Sequence, residues 1–304
     1  MNLVIWLGNI QGGGDLNSLK PAINVLVKLY ADINIFGVVA SKELKFDKFN
    51  AIDKKDLKNL DYDLILFCEK DENILFTGRE SGFVSALKEA AKLGIDTDKF
   101  VLDRTVLVPN FTVEKYQKLR RSKLSILSMN CWGGLVYHRF GLPFLSPTIN
   151  MYAGEKDFLK FLQNPMKSVK KNLRLVKKEF NEALNIEYPV YKVDECEWHM
   201  NHYNDFNVAK NKWIERSERI NWYNVLVVMY TKDPAILEEF DKLPYSKKVC
   251  FVPFETNLDS GYYINLKRLS NPVLWRGVNG IAMGQVPLFD MWDMLLYGKK
   301  TSLI

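Results

Sequence analysis

The stretch LSILSMNCWGGLVYHRF, residues 124–140, indicates how this chain folds. Residues 124–127 form a largely apolar run of strand length, residues 128–134 are polar or small, and residues 135–140 continue as a helix. Strand, tight turn and helix in this order form the repeating unit of α/β proteins. We therefore expect an α/β fold in which residues 128–134 form a loop at the carboxyl end of a strand, where open parallel sheets bind ligands.

The same alternation fills the chain before this stretch. A strand at residues 3–7 runs into Gly8 and the triplet Gly12 to Gly14, and a helix follows at residues 16–29. Further strands are predicted at residues 33–40, 62–68 and 100–108, with a helix at residues 82–93. Strands that alternate with helices pair in parallel through right-handed crossovers. Residues 1–117 are therefore predicted to be a Rossmann-like, nucleotide-binding-like domain.

A second alternating series fills residues 118–304 and predicts an α/β three-layer domain. Its helices are predicted at residues 157–162, 169–184, 205–218, 234–240 and 288–296. Its extended segments are predicted at residues 149–152, 188–193, 197–199, 225–230 and 248–252. The chain as a whole is thus predicted to have two α/β domains.

Composition excludes several classes of protein. The 304 residues are 47% hydrophobic and 26% charged, which is ordinary for a globular chain, and no apolar run approaches the roughly 20 residues that cross a bilayer. The net charge of +6 is concentrated in residues 167–178, which we interpret as the solvated face of the helix at 169–184. No nucleic-acid partner is therefore expected.

The cysteines and the N-terminus favour a cytoplasmic protein. Cys68, Cys131, Cys196 and Cys250 are widely spaced and form no CxxC pair, which is typical of free thiols in a reducing compartment. The chain begins directly with a strand and lacks the pattern of a signal peptide. A homodimer is one way in which the exposed edges of two small sheets would be covered.

The glycines of the first loop are candidate cofactor-binding residues. Gly8, Gly12, Gly13 and Gly14 lie where a strand turns into a helix, and glycine lets backbone N–H groups approach a pyrophosphate. Their spacing differs from the dinucleotide pattern G-x-G-x-x-G. A purely structural tight turn and a nucleotide or phosphate site both remain open.

Several strings within residues 120–300 resemble a bacterial family of unknown function that is often labelled exopolysaccharide or capsular polysaccharide biosynthesis protein. They are SMNCWGG at 128–134, SPTINM at 146–151, YPV at 188–190, HY at 202–203, and Trp213 with Arg216, Arg219, Ile220 and Asn221. The resemblance implies a role in surface-polysaccharide synthesis and no particular reaction.

The strand followed by Asn130 and Cys131 is also similar to a turn in a capsule-biosynthesis family that resembles SGNH hydrolases and binds coenzyme A. That similarity implies acyl transfer, with Ser128 or Cys131 as nucleophile, Asn130 as oxyanion donor and His202 or His199 as base. The structural alternatives are a packed thiol, a helix-capping serine, a loop asparagine and structural histidines.

Other residues are candidates for binding the substrate. They are Trp132, Gly133, Gly134, His199, Arg216 and Arg219. The two arginines are three apart on a predicted helix and could clamp a phosphate or carboxylate, or pair with nearby glutamates. His199 and His202 lie where a strand runs into a loop, so they face different directions and no metal site is predicted.

The leading hypothesis is a transferase, with acyl transfer preferred, that acts on a small-molecule or saccharide substrate. Its donor would be a coenzyme A thioester. One alternative is glycosyl or glycerophosphate transfer from a nucleotide-linked donor, and another is a non-catalytic sensing or scaffold protein of polysaccharide assembly.

Overall fold

The computed structural model describes residues 1–8, 16–39, 50–69, 80–268, 273–285 and 289–303. These residues fall into two compact units. One contains the described residues of 1–118 together with 139–143, and the other contains residues 119–138 and the described residues of 144–303. The chain is therefore a mixed α/β protein, and the domain boundary after residue 117 stays a prediction.

The first unit is built on a parallel sheet. Its strands are β1 (Asn2–Leu7), β2 (Asn34–Val39), β3 (Asn50–Ala51), β4 (Leu64–Cys68) and β5 (Phe100–Leu102), in the spatial order β3-β2-β1-β4-β5. Its helices are α1 (Lys20–Leu29), α2 (Gly82–Lys92), α3 (Asp103–Val106) and most of α4 (Val113–Arg121). The central strands β1 and β4 are almost entirely buried, which is why they read as continuous apolar runs.

The strand predicted at residues 100–108 is shorter than expected. It ends at Leu102, and Asp103 begins the short helix α3. The Thr105 hydroxyl donates a hydrogen bond of 2.5 Å to the Leu102 carbonyl and so closes the turn locally. A side-chain bond of this kind is invisible to apolar periodicity, which alone supported the longer strand.

The second unit contains two sheets. Its strands are β6 (Ser125–Ser128), β7 (Tyr152–Ala153), β8 (Arg174–Asn181), β9 (Ile186–Val193), β10 (Cys196–His199), β11 (Val225–Tyr230), β12 (Lys247–Val252) and β13 (Gly261–Tyr263). Its helices are α5 (Trp132–Arg139), α6 (Glu155–Gln163), α7 (Pro165–Ser168), α8 (Phe206–Ser217), α9 (Pro234–Asp241), α10 (Leu274–Met283) and α11 (Met291–Tyr297). The helix predicted at residues 288–296 corresponds to α11.

One sheet is parallel and the other is antiparallel. The parallel sheet has the order β13-β12-β11-β6, and the antiparallel sheet has the order β7-β10-β9-β8. All four antiparallel strands lie in the chain between β6 and β11, which are neighbours in the parallel sheet. The antiparallel sheet is therefore an insertion between two adjacent parallel strands.

The antiparallel sheet packs one face on a hydrophobic core. Cys196 and Trp198 of β10 are buried in this core, where the Trp198 ring lies 5.2 Å from that of Trp213 on α8. Glu197 and His199 alternate with them and point to the other face, which is polar.

The prediction of a basic helix at residues 169–184 is wrong. Residues 174–181 form the edge strand β8, which pairs in antiparallel fashion with β9. Lysine and leucine favour helices locally, but pairing with β9 overrides this preference. The lysines of β8 are exposed, as is common on edge strands, where charge discourages pairing with another chain.

The longest helix in the described ranges is α8, with 12 residues. No helix in these ranges combines the length and the apolar character that spanning a membrane requires. Helix α8 begins with an N-cap, since the Asp205 carboxylate accepts hydrogen bonds from the backbone N–H groups of Asn207 at 2.8 Å and Val208 at 2.9 Å.

We expect Asp205→Ala to lower the free energy of unfolding by about 1 kcal/mol, because two N–H groups of α8 lose their acceptor. Asp205→Asn is the matched control and should retain most of the stability, since asparagine caps helices equally well. Urea unfolding of the three proteins measures the effect. Equal midpoints for Asp205→Ala and the natural protein would contradict this role of the cap.

Candidate functional site

The turn between β6 and α5 is held by two of its own side chains. Ser128 Oγ accepts a hydrogen bond from Gly133 N at 3.0 Å and donates one to the Asn130 carbonyl at 2.7 Å. Asn130 Oδ1 accepts from Trp132 N at 3.1 Å. Both side chains thus satisfy N–H groups in the first turn of α5, groups that have no acceptor within the helix.

Both capping interactions span Cys131, which immediately precedes α5. Its sulfur is 3.3 Å from Nε2 of His202, which belongs to the turn after β10. Cys131 and His202 are both partly exposed, whereas Ser128 is fully buried. The structure therefore brings together Cys131 and His202, two of the four residues predicted as catalytic, and they form a thiol–imidazole pair.

Desolvation keeps both members of this pair uncharged. It raises the pKa of the Cys131 thiol to about 12 and lowers the pKa of His202 below its usual value of 6.5. At neutral pH the pair is thus a thiol and a neutral imidazole. An imidazole in this state can accept the thiol proton, as a general base does for a serine hydroxyl.

Three residues that the sequence analysis did not select surround the turn. Asn279 of α10 accepts a hydrogen bond of 3.0 Å from the Asn130 side-chain amide. Asn150 has a left-handed backbone with φ of 60°, and its buried side-chain N–H₂ has no acceptor among the described residues. Tyr230 ends β11, and its pKa is raised to about 12 by burial and then by the charge of Glu155. A left-handed asparagine is not evident from sequence, and nothing in the local pattern marks the other two.

Three residues predicted to bind substrate pack inside the protein. The Trp132 side chain is fully buried, with its ring 6.3 Å from that of Phe251. A Cβ atom on Gly133 would lie 2.8 Å from Ser128 Oγ, and one on Gly134 would lie 3.3 Å from Ile149 Cγ2. The two glycines therefore let α5 approach its neighbours closely, and the buried tryptophan packs in the core. Both observations favour a packing role over contact with a ligand.

The two arginines predicted as a clamp have different surroundings. Arg216 is 2% exposed, donates to the Tyr203 hydroxyl at 2.8 Å and lies over the Phe144 ring at 4.8 Å. Arg219 is partly exposed and pairs with Glu215. The two guanidinium groups do not present one shared surface to a phosphate, so the alternative of pairing within the protein fits better.

His199 has partners of its own. Its Nδ1 is 3.0 Å from Glu179 Oε2, and its ring stacks on that of Tyr152 at a centroid distance of 4.5 Å. His199 and His202 thus bind different groups. In the described part of the chain, no cluster of three or more His, Cys, Asp or Glu side chains could hold a metal ion.

The predicted glycine loop is only partly within the described residues. Gly12, Gly13 and Gly14 lie outside them. Gly8 donates its N–H to the Cys68 carbonyl at 2.9 Å, and a Cβ atom there would lie 3.1 Å from that oxygen. Gly8 therefore has a structural reason to be glycine, and its role in binding a cofactor stays a prediction.

The carboxyl edge of the first sheet carries further polar side chains. Burial raises the pKa of Asp103 to about 6, and the thiol of Cys68 donates to this carboxylate. Glu69 accepts the N–H of Gly82 at the start of α2 and pairs with Arg104 at 3.1 Å. The chain's own carboxylate therefore occupies the N-terminus of α2, where an anionic ligand would otherwise be favoured.

We expect Gly133→Ala to be less stable than Gly134→Ala by about 1–3 kcal/mol, because only the former forces a methyl group against Ser128 Oγ in the capped turn. The two variants gain the same helix propensity within α5, so each controls for the other. Thermal or urea unfolding measures the difference. Equal stability would show that the turn relaxes and that the Ser128 bond is dispensable.

We expect Cys131 to react slowly with iodoacetamide at pH 8. The reactive species is the thiolate, and a thiol pKa of about 12 in place of 9.0 lowers its population roughly 10²–10³-fold. Peptide mass spectrometry at Cys131 gives the rate, with N-acetylcysteine and the protein unfolded in guanidinium as references. A rate above that of N-acetylcysteine would instead indicate a thiolate–imidazolium pair.

Comparison with known proteins places this site within a family. The family described as Domain of unknown function (DUF1919) matches residues 103–280, a range that includes the turn, Cys131 and both His199 and His202. An uncharacterized protein of Haemophilus influenzae is 33% identical over 153 residues, which cover 49% of this chain and 71% of that protein. The resemblance to a family of unknown function is thereby confirmed, whereas a role in polysaccharide synthesis stays a prediction. This chain belongs to the DUF1919 family.

Proposed function

We propose that this protein is an acyltransferase in which Cys131 carries the acyl group as a thioester and His202 is the base that activates the thiol. The observation that carries the proposal is the distance of 3.3 Å between Cys131 Sγ and His202 Nε2 at the carboxyl end of β6. A nucleophile within hydrogen-bond reach of a base is the arrangement that covalent catalysis requires.

Ser128 is a weaker candidate for the nucleophile than Cys131. Its hydroxyl is fully buried and both donates and accepts a hydrogen bond within the turn. The Ser128 proton is directed at the Asn130 carbonyl, which cannot act as a base, so attack by Ser128 would require this bond to break. Cys131 is partly exposed and requires no such rearrangement.

The proposed reaction has two steps. His202 Nε2 accepts the thiol proton while the sulfur attacks the acyl carbon of the donor. The bond from this carbon to the leaving group breaks, and His202 returns the proton to the leaving group. In the second step a hydroxyl acceptor attacks the thioester, a C–O bond forms, the C–S bond breaks and the thiol is restored.

Two groups in the turn are available to stabilise the oxyanion that forms in each step. The Asn130 amide has two N–H protons, and one of them is directed at Asn279. The backbone N–H of Cys131 acts on its own sulfur so as to lower the thiol pKa, and it is therefore a donor near the position of the acyl carbon. Preorganised donors of this kind typically contribute about 10²–10³-fold to the rate.

We assign the donor to coenzyme A thioesters and the acceptor to hydroxyls of a surface-polysaccharide precursor in the cytoplasm. The support for this assignment is the similarity of the Asn130–Cys131 turn and of the strings within residues 120–300. It is separate from the geometric support for acyl transfer, so either part can fail alone.

A Rossmann-like nucleotide-binding role for residues 1–117 is a second proposal. Its support is the order β3-β2-β1-β4-β5 of a fully parallel sheet, in which the strand order reverses between β1 and β4. Open α/β sheets bind nucleotides in the crevice beyond such a reversal point. A nucleotide-linked donor would occupy this crevice, and a rise in melting temperature with nucleotide sugars or CDP-linked alcohols would support it.

The acyl-transfer proposal predicts that p-nitrophenyl acetate acetylates Cys131. We expect a burst of p-nitrophenolate and a mass increase of one acetyl group on the peptide that contains Cys131. His202→Gln should slow the burst by roughly 10²–10⁴-fold, since the base is lost.

The matched comparison is Ser128→Ala against Cys131→Ala. Ser128→Ala should still be acetylated at residue 131, whereas Cys131→Ala should give no burst. Acetylation of Ser128 would transfer the nucleophile role to that residue. The absence of any burst in the natural protein, together with no turnover of acetyl-CoA, would favour a non-catalytic role.

A further inference from the structure

A second group of titratable side chains lies on the polar face of the antiparallel sheet. His199 ends β10, Tyr152 is its partner on β7, and Tyr188 of β9 lies opposite Glu179 of β8. The hydroxyl groups of Tyr152 and Tyr188 are 3.5 Å apart. We call these four residues the Glu179–His199 cluster.

Glu179 holds the imidazole of His199 in one orientation. The Glu179 carboxylate is 2.7 Å from Lys177 Nζ and accepts a hydrogen bond of 2.6 Å from the Tyr188 hydroxyl. Hydrogen bonds from Lys177 and then from Tyr188 lower the pKa of Glu179 to about 2. The carboxylate is therefore ionised at neutral pH and acts as an acceptor, so its bond of 3.0 Å to His199 requires a proton on Nδ1.

This arrangement leaves the other nitrogen of His199 open. With the proton on Nδ1, a neutral imidazole has its lone pair on Nε2, and no described residue forms a hydrogen bond there. Stacking on Tyr152, with 12° between the ring planes, limits rotation of the ring. A carboxylate that orients an imidazole with a free nitrogen is the usual form of a general base.

The cluster is next to the Cys131 turn. Ala153 of β7 donates its N–H to the Met129 carbonyl at 2.9 Å, two residues before Cys131. Tyr230 lies near both Tyr152 and Cys131, so that a charge on either would raise its pKa. His199 ends β10, and His202 lies in the tight turn that follows, in which Tyr203 N donates to the Met200 carbonyl at 3.0 Å. Both histidines therefore lie within one short segment, residues 199–202, beside the Cys131 turn.

We propose that His199, oriented by Glu179, is the base that activates the hydroxyl acceptor in the second step of the reaction. This inference rests on the proposed function of Cys131. His199 Nε2 accepts the hydroxyl proton while the oxygen forms a bond with the acyl carbon. The C–S bond breaks, the electron pair goes to sulfur, and the thiolate is protonated from solvent through His202. His199 releases its proton to solvent.

Two separate bases divide the reaction. His202 lies beside the sulfur and serves the bonds that involve it, whereas His199 lies at the end of β10, before the turn that contains His202, and serves the incoming oxygen. His199 is thus a catalytic residue, and Glu179 is a positioning residue that acts through it.

The experiment separates acylation from acyl transfer with p-nitrophenyl acetate as donor and glycerol as acceptor. For His199→Gln we expect a burst within twofold of the natural protein and a steady-state rate lower by roughly 10²-fold or more. An unchanged steady-state rate would overturn the role of His199 while leaving Cys131 as nucleophile. If the natural protein shows no burst of p-nitrophenolate, the proposed function is overturned, and with it this inference.

Glu179→Gln tests the positioning role, and Glu187→Gln is its matched control on the same hairpin, where Glu187 is exposed and 3.8 Å from Lys178. Glu179→Gln should lower the steady-state rate and keep the burst, whereas Glu187→Gln should change neither. In the natural protein, nitrogen NMR of His199 should report the proton on Nδ1. The opposite tautomer in the natural protein, or a normal steady-state rate for Glu179→Gln, would overturn the inference.

Discussion

The first turn of α5 must satisfy its backbone N–H groups inside the protein, and the rest of the candidate site depends on how it does so. A buried N–H group without an acceptor costs about 1–3 kcal/mol. Ser128 and Asn130 supply acceptors for Gly133 and Trp132. Because both hydrogen bonds span Cys131, the same bonds that complete the helix also fix the backbone that carries the thiol.

The two sheets of the second unit contribute different parts of the site. The parallel sheet carries Cys131 at the end of β6, a buried strand whose neighbour is β11. The inserted antiparallel sheet buries Cys196 and Trp198 and leaves His199 on its polar face, with His202 in the turn that follows. Because successive side chains of β10 point to opposite faces of the sheet, this short strand both anchors the insertion in the core and carries titratable groups on its other face.

Local patterns predicted the elements whose apolar residues repeat regularly, such as β1, β4, β11 and α8. They also nominated the 128–134 turn as the candidate site, which stays a prediction. Local patterns gave the wrong secondary structure where pairing with a distant strand determines the conformation. The segment that includes Lys177 and Lys178 has helical propensity but is held as a strand by β9. Sequence could nominate Cys131 and His202, yet it could not bring together two residues 71 positions apart, nor foresee that burial keeps both uncharged. Asn279 and Glu179 contact the site only through tertiary packing, so no local signal identified them.

The insertion of a whole sheet between β6 and β11 affects the order in which the site is assembled. Cys131 and its capped turn involve contacts that are close in sequence, whereas the imidazole arrives only after the chain has closed a loop of 71 residues. Contacts of large sequence separation generally form late in folding, because the entropy of closing the loop must first be overcome. During synthesis from the N-terminus, Cys131 therefore emerges before its imidazole partner, and a nascent chain carries the thiol without the contact to His202.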